Sequence, residues 1–234
     1  MSFSAELVAG KADLGVALVT GASTGIGRAT AKALKDAGFR VFGTSRRAVS
    51  ENPDGITMLI GDVTDDASVT KLVDEVLANA GRIDLLVNNA GVGLLGGAEE
   101  SSIAQAQALF DVNLFGVLRV TNAVLPTMRR QASGRIINMS SVMGLIPAPY
   151  LALYSSTRHA LEGYSESLDH ELRAFRRIAP PRGCGSRSLQ HSLGDDFGDI
   201  AYLLHRLTHD RFRPGARQII DIKQPIRRRE IVLE

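Results

Sequence analysis

The sequence predicts an α/β protein, with a doubly wound parallel sheet covered by helices on both faces in three α/β/α layers. Short apolar runs alternate along the chain with longer segments whose apolar residues recur at helical spacing. The runs are apolar at nearly every position, which is typical of strands buried on both faces. A glycine-rich turn, TGASTGIG, joins the first run to the first helical segment. The pattern therefore indicates repeated strand and helix units within one sheet.

The elements can be assigned in chain order. VALVT (16–20) is a short Val-rich run, and RATAKALKDAG (28–38) contains helix formers and ends on Gly38. The further predicted strands are RVFGTS (40–45), TMLIGD (57–62), IDLLVNNAG (83–91, including its turn) and GRIINMSS (134–141). The further predicted helices are DDASVTKLVDEVLANAG (65–81), the segment 101–131 and the segment 150–175. Pro126 lies late in the segment 101–131, where we expect it to kink or end the helix.

The composition is that of an ordinary globular chain. Of the 234 residues, 44% are hydrophobic and 22% are charged, and the net charge of +2 favours no particular class of partner. We expect one principal domain. No apolar run suggests a membrane span, and no basic-then-apolar signal opens the sequence, so we expect a cytoplasmic protein. Cys184 is the only cysteine, which excludes an internal disulfide and a thiolate metal cluster within the chain.

The chain changes character after Phe175. Residues 1–175 carry 15 basic and 18 acidic side chains, a net charge of −3, whereas residues 176–234 carry 11 Arg and one Lys against 7 acids, a net charge of +5. Pro180 and Pro181 would each remove a hydrogen-bond donor from a strand. The stretch that opens this tail is rich in Arg, Pro, Gly, Cys and Ser and has no strand or helix period, as expected when a GC-rich gene is read out of frame. We therefore predict that 1–175 contains the site and that 176–234 is a frameshifted or otherwise divergent basic tail. A folded cap is the alternative, because DIAYLLHRLTHD (199–210) has helical spacing.

Two features of this tail are weak candidates for binding. His205 and His209 are four residues apart but lack the neighbouring glutamate of a zinc-binding helix, so no metal is predicted. Arg227, Arg228 and Arg229 form a basic run without aromatic neighbours, so no nucleic-acid partner is predicted. A tail that interacts with polyanions remains a third interpretation of the protein, which salt-sensitive retention on a polyanion would test.

The turn TGASTGIG predicts a nucleotide site. It places Gly21, Gly25 and Gly27 between a strand and a helix, where glycines permit a tight turn and close approach of the backbone to a pyrophosphate. The spacing is G-x-x-x-G-x-G, without the Gly-Lys-Ser/Thr ending of an ATPase phosphate loop. The remaining residues of the turn that we expect at the cofactor are Ser23, Thr24 and Ile26.

The end of the second strand predicts which nucleotide is bound. Ser45, Arg46 and Arg47 stand where an NAD site normally carries an acid for the ribose 2′-hydroxyl. Guanidinium groups at this position would pair with a 2′-phosphate instead. We therefore expect NADP(H) to be preferred over NAD(H).

With these motifs in view, residues 12–175 resemble the short-chain dehydrogenase/reductase family, whose fold is a Rossmann-type sheet. TGASTGIG is similar to the family's cofactor loop, and NNAG (88–91) is similar to the signature that follows its fourth strand. DVNLFG carries Asn113 and INMSSVMG carries Ser141, at the positions of the family's catalytic asparagine and serine. Tyr154 follows Ser141 by 13 positions, as the family's tyrosine does. Four motifs in this order are far more specific than any one alone.

The resemblance implies a role for each catalytic residue. Tyr154 would be the general acid and base that exchanges a proton with the substrate oxygen while a hydride moves to or from the nicotinamide. Ser141 would hydrogen-bond the same oxygen, and Asn113 would hold a water in the proton path.

The resemblance also assigns residues that line the cofactor. Asp62 would contact the adenine, with Val63 beside it. Asn89, Ala90 and Gly91, which follow the fourth strand, would line the cofactor along its length.

Arg158 is a departure from the family, which has lysine at this position. The family's lysine binds the nicotinamide ribose and favours the phenolate form of the tyrosine through its charge. Arginine keeps that charge, but its guanidinium is larger, planar and permanently protonated. We expect Arg158 to preserve cofactor binding alongside Tyr154 and to reduce turnover.

The sequence thus predicts an NADP(H)-dependent oxidoreductase that interconverts an alcohol and a ketone or aldehyde. The alternative is a catalytically impaired nucleotide-binding protein of the same fold. The apolar residues that follow Ser141 favour a lipophilic substrate; they are Met143, Leu145, Ile146, Pro147 and Pro149. The resemblance further implies a homodimer or homotetramer joined through the two long helices.

Overall fold

A computed structural model describes residues 14–49, 54–174, 187–189 and 220–221 of the chain. The strands are β1 (Val16–Val19), β2 (Arg40–Ser45), β3 (Thr57–Ile60), β4 (Leu85–Asn88), β5 (Arg135–Met139), β6 (Arg187–Leu189) and β7 (Ile220–Asp221). The helices are α1 (Gly25–Ala37), α2 (Asp66–Ala80), α3 (Ile103–Phe110), α4 (Gly116–Arg130) and α5 (Ala152–Ala174). A π-helical turn (Asp111–Phe115) joins α3 to α4, and a 3₁₀ turn (Val142–Gly144) follows β5.

The sheet is parallel and doubly wound, which confirms the predicted fold class. Its strand order is β3-β2-β1-β4-β5-β6, with β7 antiparallel to β5 at the same edge as β6. The order reverses between β1 and β4, whose central residues Leu18 and Leu86 are direct neighbours. In open sheets of this kind, ligands bind beyond the carboxyl ends of the strands at the point of reversal.

Both faces of the sheet are buried, as the apolar strands predict. Leu18 packs on the face covered by α2 and α4, in a cluster that includes Leu72 and Val120. The next residue, Val19, packs on the opposite face together with Leu34 of α1. Successive side chains of a strand point to opposite faces, so a strand in the middle layer must be apolar throughout.

The first two helices show the expected termini. α1 ends at Gly38, whose φ of 111° is left-handed and whose N–H donates to the carbonyl of Lys35. α2 begins after Asp65, whose carboxylate accepts hydrogen bonds from the backbone N–H groups of Ala67 and Ser68.

Several predicted boundaries differ from the structure. The segment 101–131 is α3, the π-helical turn and α4 in succession. α3 begins after its N-cap residue Ser102, which forms a capping box with Gln105. Pro126 lies inside α4 without ending it, since the helix continues to Arg130. α5 begins at Ala152 rather than at Tyr150, because Tyr150 has a φ of 63°, which no α-helix accommodates.

Only two short pieces of the predicted tail belong to the described residues. Residues 187–189 form β6, which pairs in parallel with Ile137–Met139 of β5, and residues 220–221 form β7, which pairs with Arg135 and Ile136. Cys184, the histidine pair, the arginine run and the segment 199–210 lie outside the described residues. The frameshift and folded-cap interpretations therefore both stay predictions.

The helical run Ile103–Arg130 is long and apolar enough to cross a membrane by length and composition alone. Such a run is weak evidence for a span, because the core helix of a soluble protein passes the same test. Here Val120, Val124 and Met128 are fully buried in the core cluster beside the sheet.

Candidate active site

A cavity of about 600 Å³ opens at the carboxyl ends of β1, β2 and β4, at the point where the strand order reverses. It is lined by most of the residues predicted to hold a cofactor, namely Gly21, Ser23, Thr24, Ile26, Gly27, Ser45, Arg46, Arg47, Asp62, Val63, Asn89, Ala90 and Gly91. Thr44, Gly61, Val92 and Val112 complete the lining. Of the predicted contacts, Gly25, Tyr154 and Arg158 are not part of this lining.

The glycine turn takes a form that larger residues could not adopt. Gly21 and Gly25 have left-handed φ angles of 66° and 55°. A Cβ on Gly27 would lie 2.3 Å from both the carbonyl oxygen of Gly21 and the side-chain nitrogen of Asn89. A Cβ on Gly25 would meet nothing within 4 Å. Gly27 is therefore required for packing within the turn, whereas the space beside Gly25 is open.

The amino terminus of α1 is prepared for an anion. Its N-cap residue, Thr24, makes no side-chain hydrogen bond to the first turn, and that turn contains no acidic residue. The first N–H groups of a helix have no partner within it, and the helix dipole favours negative charge there. The turn and the helix thus fit a pyrophosphate at this end of the cavity.

Thr20, at the end of β1, connects the glycine turn to the loop after β4. Its hydroxyl oxygen accepts hydrogen bonds from the backbone N–H groups of Asn89 and Ala90, both at 3.0 Å. The side-chain amide of Asn89 donates to the carbonyls of Thr20 (2.9 Å) and Gly21 (3.2 Å). The donors of Asn89 therefore hold two walls of the cavity together. Thr20 was not among the predicted site residues, although its position at the end of a buried apolar strand could have indicated a role in the site.

The arginines after β2 lie at the mouth of the cavity. Arg46 and Arg47 are both exposed, and neither guanidinium forms an ion pair with a carboxylate of the described residues. The hydroxyl of Ser45 accepts a hydrogen bond from the backbone N–H of Arg47 at 3.3 Å. Among the lining residues Asp62 is the single acid. The mouth therefore presents two cations that are available to a phosphate.

Asp62 keeps its negative charge in the fold. Its carboxylate accepts hydrogen bonds from the backbone N–H (2.9 Å) and the hydroxyl (2.7 Å) of Thr64. These bonds, with smaller contributions from the charges of Arg46 and Arg119, hold the pKa of Asp62 below its usual value. Asp62 is thus an ionised acceptor at the cavity wall.

Asn113 lies in the π-helical turn and is fully buried. Its side-chain amide donates to the carbonyl of Val92 (2.8 Å) and to the hydroxyl of Thr157 (3.2 Å), and its oxygen accepts from the N–H of Val92 (2.8 Å). The residue thus fastens the loop after β4 to α5. Both amide protons are donated within the protein. A water molecule in the proton path would therefore have to be held by a group of Asn113 other than its side-chain N–H groups.

Ser141 and Tyr154 lie on consecutive elements. Ser141 caps the 3₁₀ turn after β5, and its hydroxyl oxygen accepts a hydrogen bond from the N–H of Met143 at 3.2 Å. That bond leaves the hydroxyl proton of Ser141 available to a substrate oxygen. Tyr154 lies in the first turn of α5 and is half-buried.

The structure brings Arg158 against Tyr154, one helical turn away. Arg158 is only 7% exposed, and its guanidinium carbon lies 5.0 Å from the centre of the Tyr154 ring. Nη1 of Arg158 donates to the carbonyl of Met139 at 3.2 Å, while Nε is buried and has no hydrogen-bond partner within the described part of the chain. A Cβ on Gly91 would lie 2.8 Å from Nη2. The guanidinium is therefore enclosed between β5, the loop after β4 and the tyrosine ring.

A buried polar network crosses the sheet behind the site. The side-chain amide of Asn88 donates to Thr121 of α4 (3.0 Å) and to Asn138 of β5 (2.9 Å), and Asn138 donates to Ser165 of α5 (2.9 Å). Beside it, burial raises the pKa of Tyr164 to about 12, against the opposing effect of a hydrogen bond with Thr121. Asn88 was predicted only as part of the NNAG motif. The network itself could not be predicted, because its members lie far apart in the chain.

Among the described residues, no group of three or more His, Cys, Asp or Glu side chains is placed to hold a metal ion.

Comparison with known proteins identifies the family. The family model described as short chain dehydrogenase matches residues 15–179. A 3-ketodihydrosphingosine reductase of Bacteroides thetaiotaomicron is 42% identical over 160 residues, covering 68% of this chain and 59% of that protein. An uncharacterized oxidoreductase of Bacillus subtilis, YusZ, is also 42% identical, over 171 residues, covering 68% of this chain and 60% of that protein. The matched part spans about three fifths of the length of these relatives.

Solved structures agree with this assignment. A short-chain dehydrogenase from Streptomyces avermitilis superposes with a TM-score of 0.64 at 34% identity, covering 83% of this chain and 77% of the other. A gluconate 5-dehydrogenase from Burkholderia cenocepacia, in complex with NADP and tartrate, has a TM-score of 0.65 at 31% identity, covering 70% and 68%. The glycine turn, the reversal in the sheet and these matches lead to one conclusion: the chain belongs to the short-chain dehydrogenase/reductase family.

Proposed function

We propose that the protein is an NADP(H)-dependent oxidoreductase that interconverts an alcohol and a ketone or aldehyde. Members of its family are oxidoreductases that use nicotinamide cofactors. The observation that carries the choice of NADP(H) is the mouth of the cavity, where Arg46 and Arg47 are exposed and form no ion pair with a described carboxylate. A solved relative, the gluconate 5-dehydrogenase, was crystallised with NADP.

The catalytic residues would act on the substrate oxygen. When bound, the cofactor supplies or accepts the hydride at the substrate carbon. In the reductive direction Tyr154 donates its phenolic proton to the carbonyl oxygen, which becomes the hydroxyl of the product. Ser141 donates a hydrogen bond to the same oxygen and holds it in place. In the oxidative direction Tyr154 accepts the proton.

The surroundings of Ser141 support a lipophilic substrate. Leu145, Ile146 and Tyr150 follow the 3₁₀ turn and are exposed, as is Leu95 in the loop after β4. The two loops are joined by a hydrogen bond from the N–H of Gly96 to the carbonyl of Tyr150 at 2.9 Å. The Bacteroides relative is a reductase of 3-ketodihydrosphingosine, a lipid ketone. A ketone attached to an alkyl chain is therefore the substrate class we propose.

Comparing NADPH and NADH tests the choice of cofactor. Thermal unfolding of the purified protein should shift upward with NADPH and much less with NADH. Arg46→Ala and Arg47→Ala should each weaken NADPH binding by about 10-fold to 100-fold, since a hydrogen bond to a charged group contributes roughly 1.5–3 kcal/mol. NADH binding should change little. Lys71→Ala, which removes an exposed cation from α2, is the matched control.

The outcomes of this experiment differ clearly. Equal shifts with NADPH and NADH would contradict the selection of the 2′-phosphate by the arginines. No shift with either nucleotide would contradict the proposed function itself.

Arg158 supports a second candidate, a nucleotide-binding protein with impaired catalysis. Its enclosed guanidinium lies against the ring of the proposed acid, and its Nη1 is engaged by the carbonyl of Met139. A protein that binds NADPH but reduces none of a broad panel of ketones and aldehydes would favour this candidate.

A further inference from the structure

Arg119 of α4 lies outside the predicted site and joins two separate elements. Its Nε lies 2.7 Å from a carboxylate oxygen of Asp66, the first residue of α2. Its Nη1 lies 2.7 Å from a carboxylate oxygen of Asp111, the first residue of the π-helical turn. One planar guanidinium thus bridges two carboxylates through two different nitrogens held at a fixed spacing, whereas lysine offers a single nitrogen.

The same face of α4 supports the segment that follows β3. Nη1 of Arg119 lies 3.4 Å from the carbonyl oxygen of Val63. One turn earlier on the helix, a Cβ on Gly116 would lie 2.7 Å from Cγ2 of Val63. Residues three apart share a helix face, so Gly116 and Arg119 together form a seat for Val63. The glycine permits the close approach, and the arginine contacts the backbone.

The elements that meet at Arg119 also form one wall of the cavity. Asp62 and Val63 line it from the segment after β3, and Val112 lines it from the π-helical turn. Asp66 and Asp111 are within a few residues of these lining residues on each side. Loss of Arg119 would therefore remove the ion pairs that tie Asp66 and Asp111, which lie beside these lining residues, to α4.

The ion pair between Arg119 and Asp66 adds little to stability by itself. The side chain of Asp66 is 87% exposed, and ion pairs at exposed positions add little to the free energy of unfolding. These contacts can instead serve binding, because they keep the residues of the cavity wall in the positions that a ligand requires.

We infer that Arg119 is a positioning residue for the adenosine half of the cofactor. It fixes the positions of Val63 and Val112 in the cavity wall beside Asp62, and it does not contact the cofactor. This inference rests on the proposed function, because it assumes that the cavity binds NADP(H).

The test measures binding of each half of the cofactor separately. Adenosine 2′,5′-bisphosphate represents the adenosine half, reduced nicotinamide mononucleotide represents the other half, and NADPH is the whole. Arg119→Met should weaken binding of the bisphosphate and of NADPH by about 2-fold to 30-fold each, the range expected for a residue that acts on a binding site through its packed neighbours. Binding of the mononucleotide should be unchanged.

Two further variants keep the result interpretable. Arg130→Met makes the same substitution at the far end of α4, where the guanidinium contacts Thr127, and it should leave all three affinities unchanged. Arg119→Lys keeps the charge but can engage only one carboxylate well, so it should lose less affinity for the bisphosphate than Arg119→Met. A general loss of folding would instead lower the affinities for both halves together.

The two proposals fail in different ways. If the unchanged protein binds the bisphosphate and Arg119→Met binds it equally well, the role of Arg119 is refuted while the proposed function stands. If Arg119→Met loses both halves in equal measure, a purely structural role replaces the positional one. If the unchanged protein binds neither NADPH nor the bisphosphate, the proposed function fails and this inference fails with it.

Discussion

The proposed nucleotide-binding region and the proposed catalytic region of this protein differ in how well their buried polar groups are paired. In the nucleotide-binding region, formed by the glycine turn and the loop after β4, the side chains of Thr20 and Asn89 make hydrogen bonds that hold the two segments together. In the catalytic region, formed by the residues after β5 and the start of α5, buried atoms of Ser140, Ser155 and Arg158 have no hydrogen-bond partner among the residues that the structure describes.

This difference indicates which region is complete before a ligand binds. A paired network in a low-dielectric interior stiffens the backbone around it, whereas an unpaired buried group raises the free energy of the fold. The cavity for the nucleotide is thus preformed by contacts within the protein. The catalytic region carries a buried cation whose only hydrogen bond among the described residues is the 3.2 Å bond from Nη1 to Met139.

Tyr154, the proposed proton donor, offers the strongest test of this division. Tyr154→Phe removes the phenolic hydroxyl and should reduce turnover by about 10²-fold to 10⁴-fold, the usual contribution of a general acid. NADPH affinity should stay within a factor of about two, because Tyr154 is not part of the cavity lining. Steady-state reduction of a ketone and a fluorescence titration measure the two quantities. Turnover above a tenth of the original would show that another group supplies the proton.

Gly27→Ala should disrupt the nucleotide-binding region itself. The new methyl group would overlap the carbonyl of Gly21, a backbone atom that cannot move aside cheaply, and the cost should be about 1–3 kcal/mol in the free energy of unfolding. Gly25→Ala is the matched control, because its methyl group meets no neighbour and the cost comes only from the left-handed backbone, roughly 1–2 kcal/mol. Urea unfolding measures both. A larger loss for Gly25→Ala would contradict this account of the turn.

Arg158→Lys should improve the catalytic region without changing the nucleotide-binding region. Lysine keeps the positive charge beside Tyr154 but is smaller than guanidinium and can lose a proton. We expect turnover to rise on the order of tenfold, which corresponds to about 1.4 kcal/mol in the barrier, with little change in NADPH affinity. Arg158→Met, which removes the charge, should lower turnover. Equal turnover of the original protein and Arg158→Lys would mean that arginine is no impairment here.

The smallest expected effect concerns the charge of Asp62. Its folded pKa is lowered, so its hydrogen bonds with Thr64 stabilise the fold above the ordinary carboxyl pKa of about 3.9 and lose that effect as pH falls through the lower folded value. Asp62→Asn should therefore reduce the free energy of unfolding at pH 7 by less than about 1 kcal/mol, since a partly exposed group is screened by solvent. At a pH below the folded pKa, the variant and the original should unfold alike. A difference that grew toward low pH would reverse the proposed sign.

The fold was largely predictable because its signals are local. Runs such as VALVT and the spacing of Val69, Leu72 and Val76 in α2 report burial directly, and the structure confirms the parallel sheet that they predict. Gly38 marked the end of α1 for the same reason, since only its own backbone conformation is involved.

The site was predictable where a motif lies within one turn and less so where distant segments meet. The glycine turn and the arginines after β2 line the cavity, and their contacts with a cofactor stay a prediction. The enclosure of Arg158 by Gly91, and the use of both amide protons of Asn113, depend on contacts across more than 20 positions of the chain. Arg119 gave no motif at all, because its partners lie on two other elements.

The π-helical turn between α3 and α4 changes the direction in which the side chains of this long helical run point. An α-helix rotates by about 100° per residue, and a wider turn holds additional backbone, which resets the angular phase of every residue beyond it. Asn113 inside the turn faces the loop after β4 and α5, whereas Gly116 and Arg119 beyond it face Val63. One continuous helical run thereby contacts the catalytic region through Asn113 and the nucleotide-binding region through Gly116 and Arg119. Removing one residue from Asp111–Phe115 would leave a regular helix that could satisfy only one of these two directions.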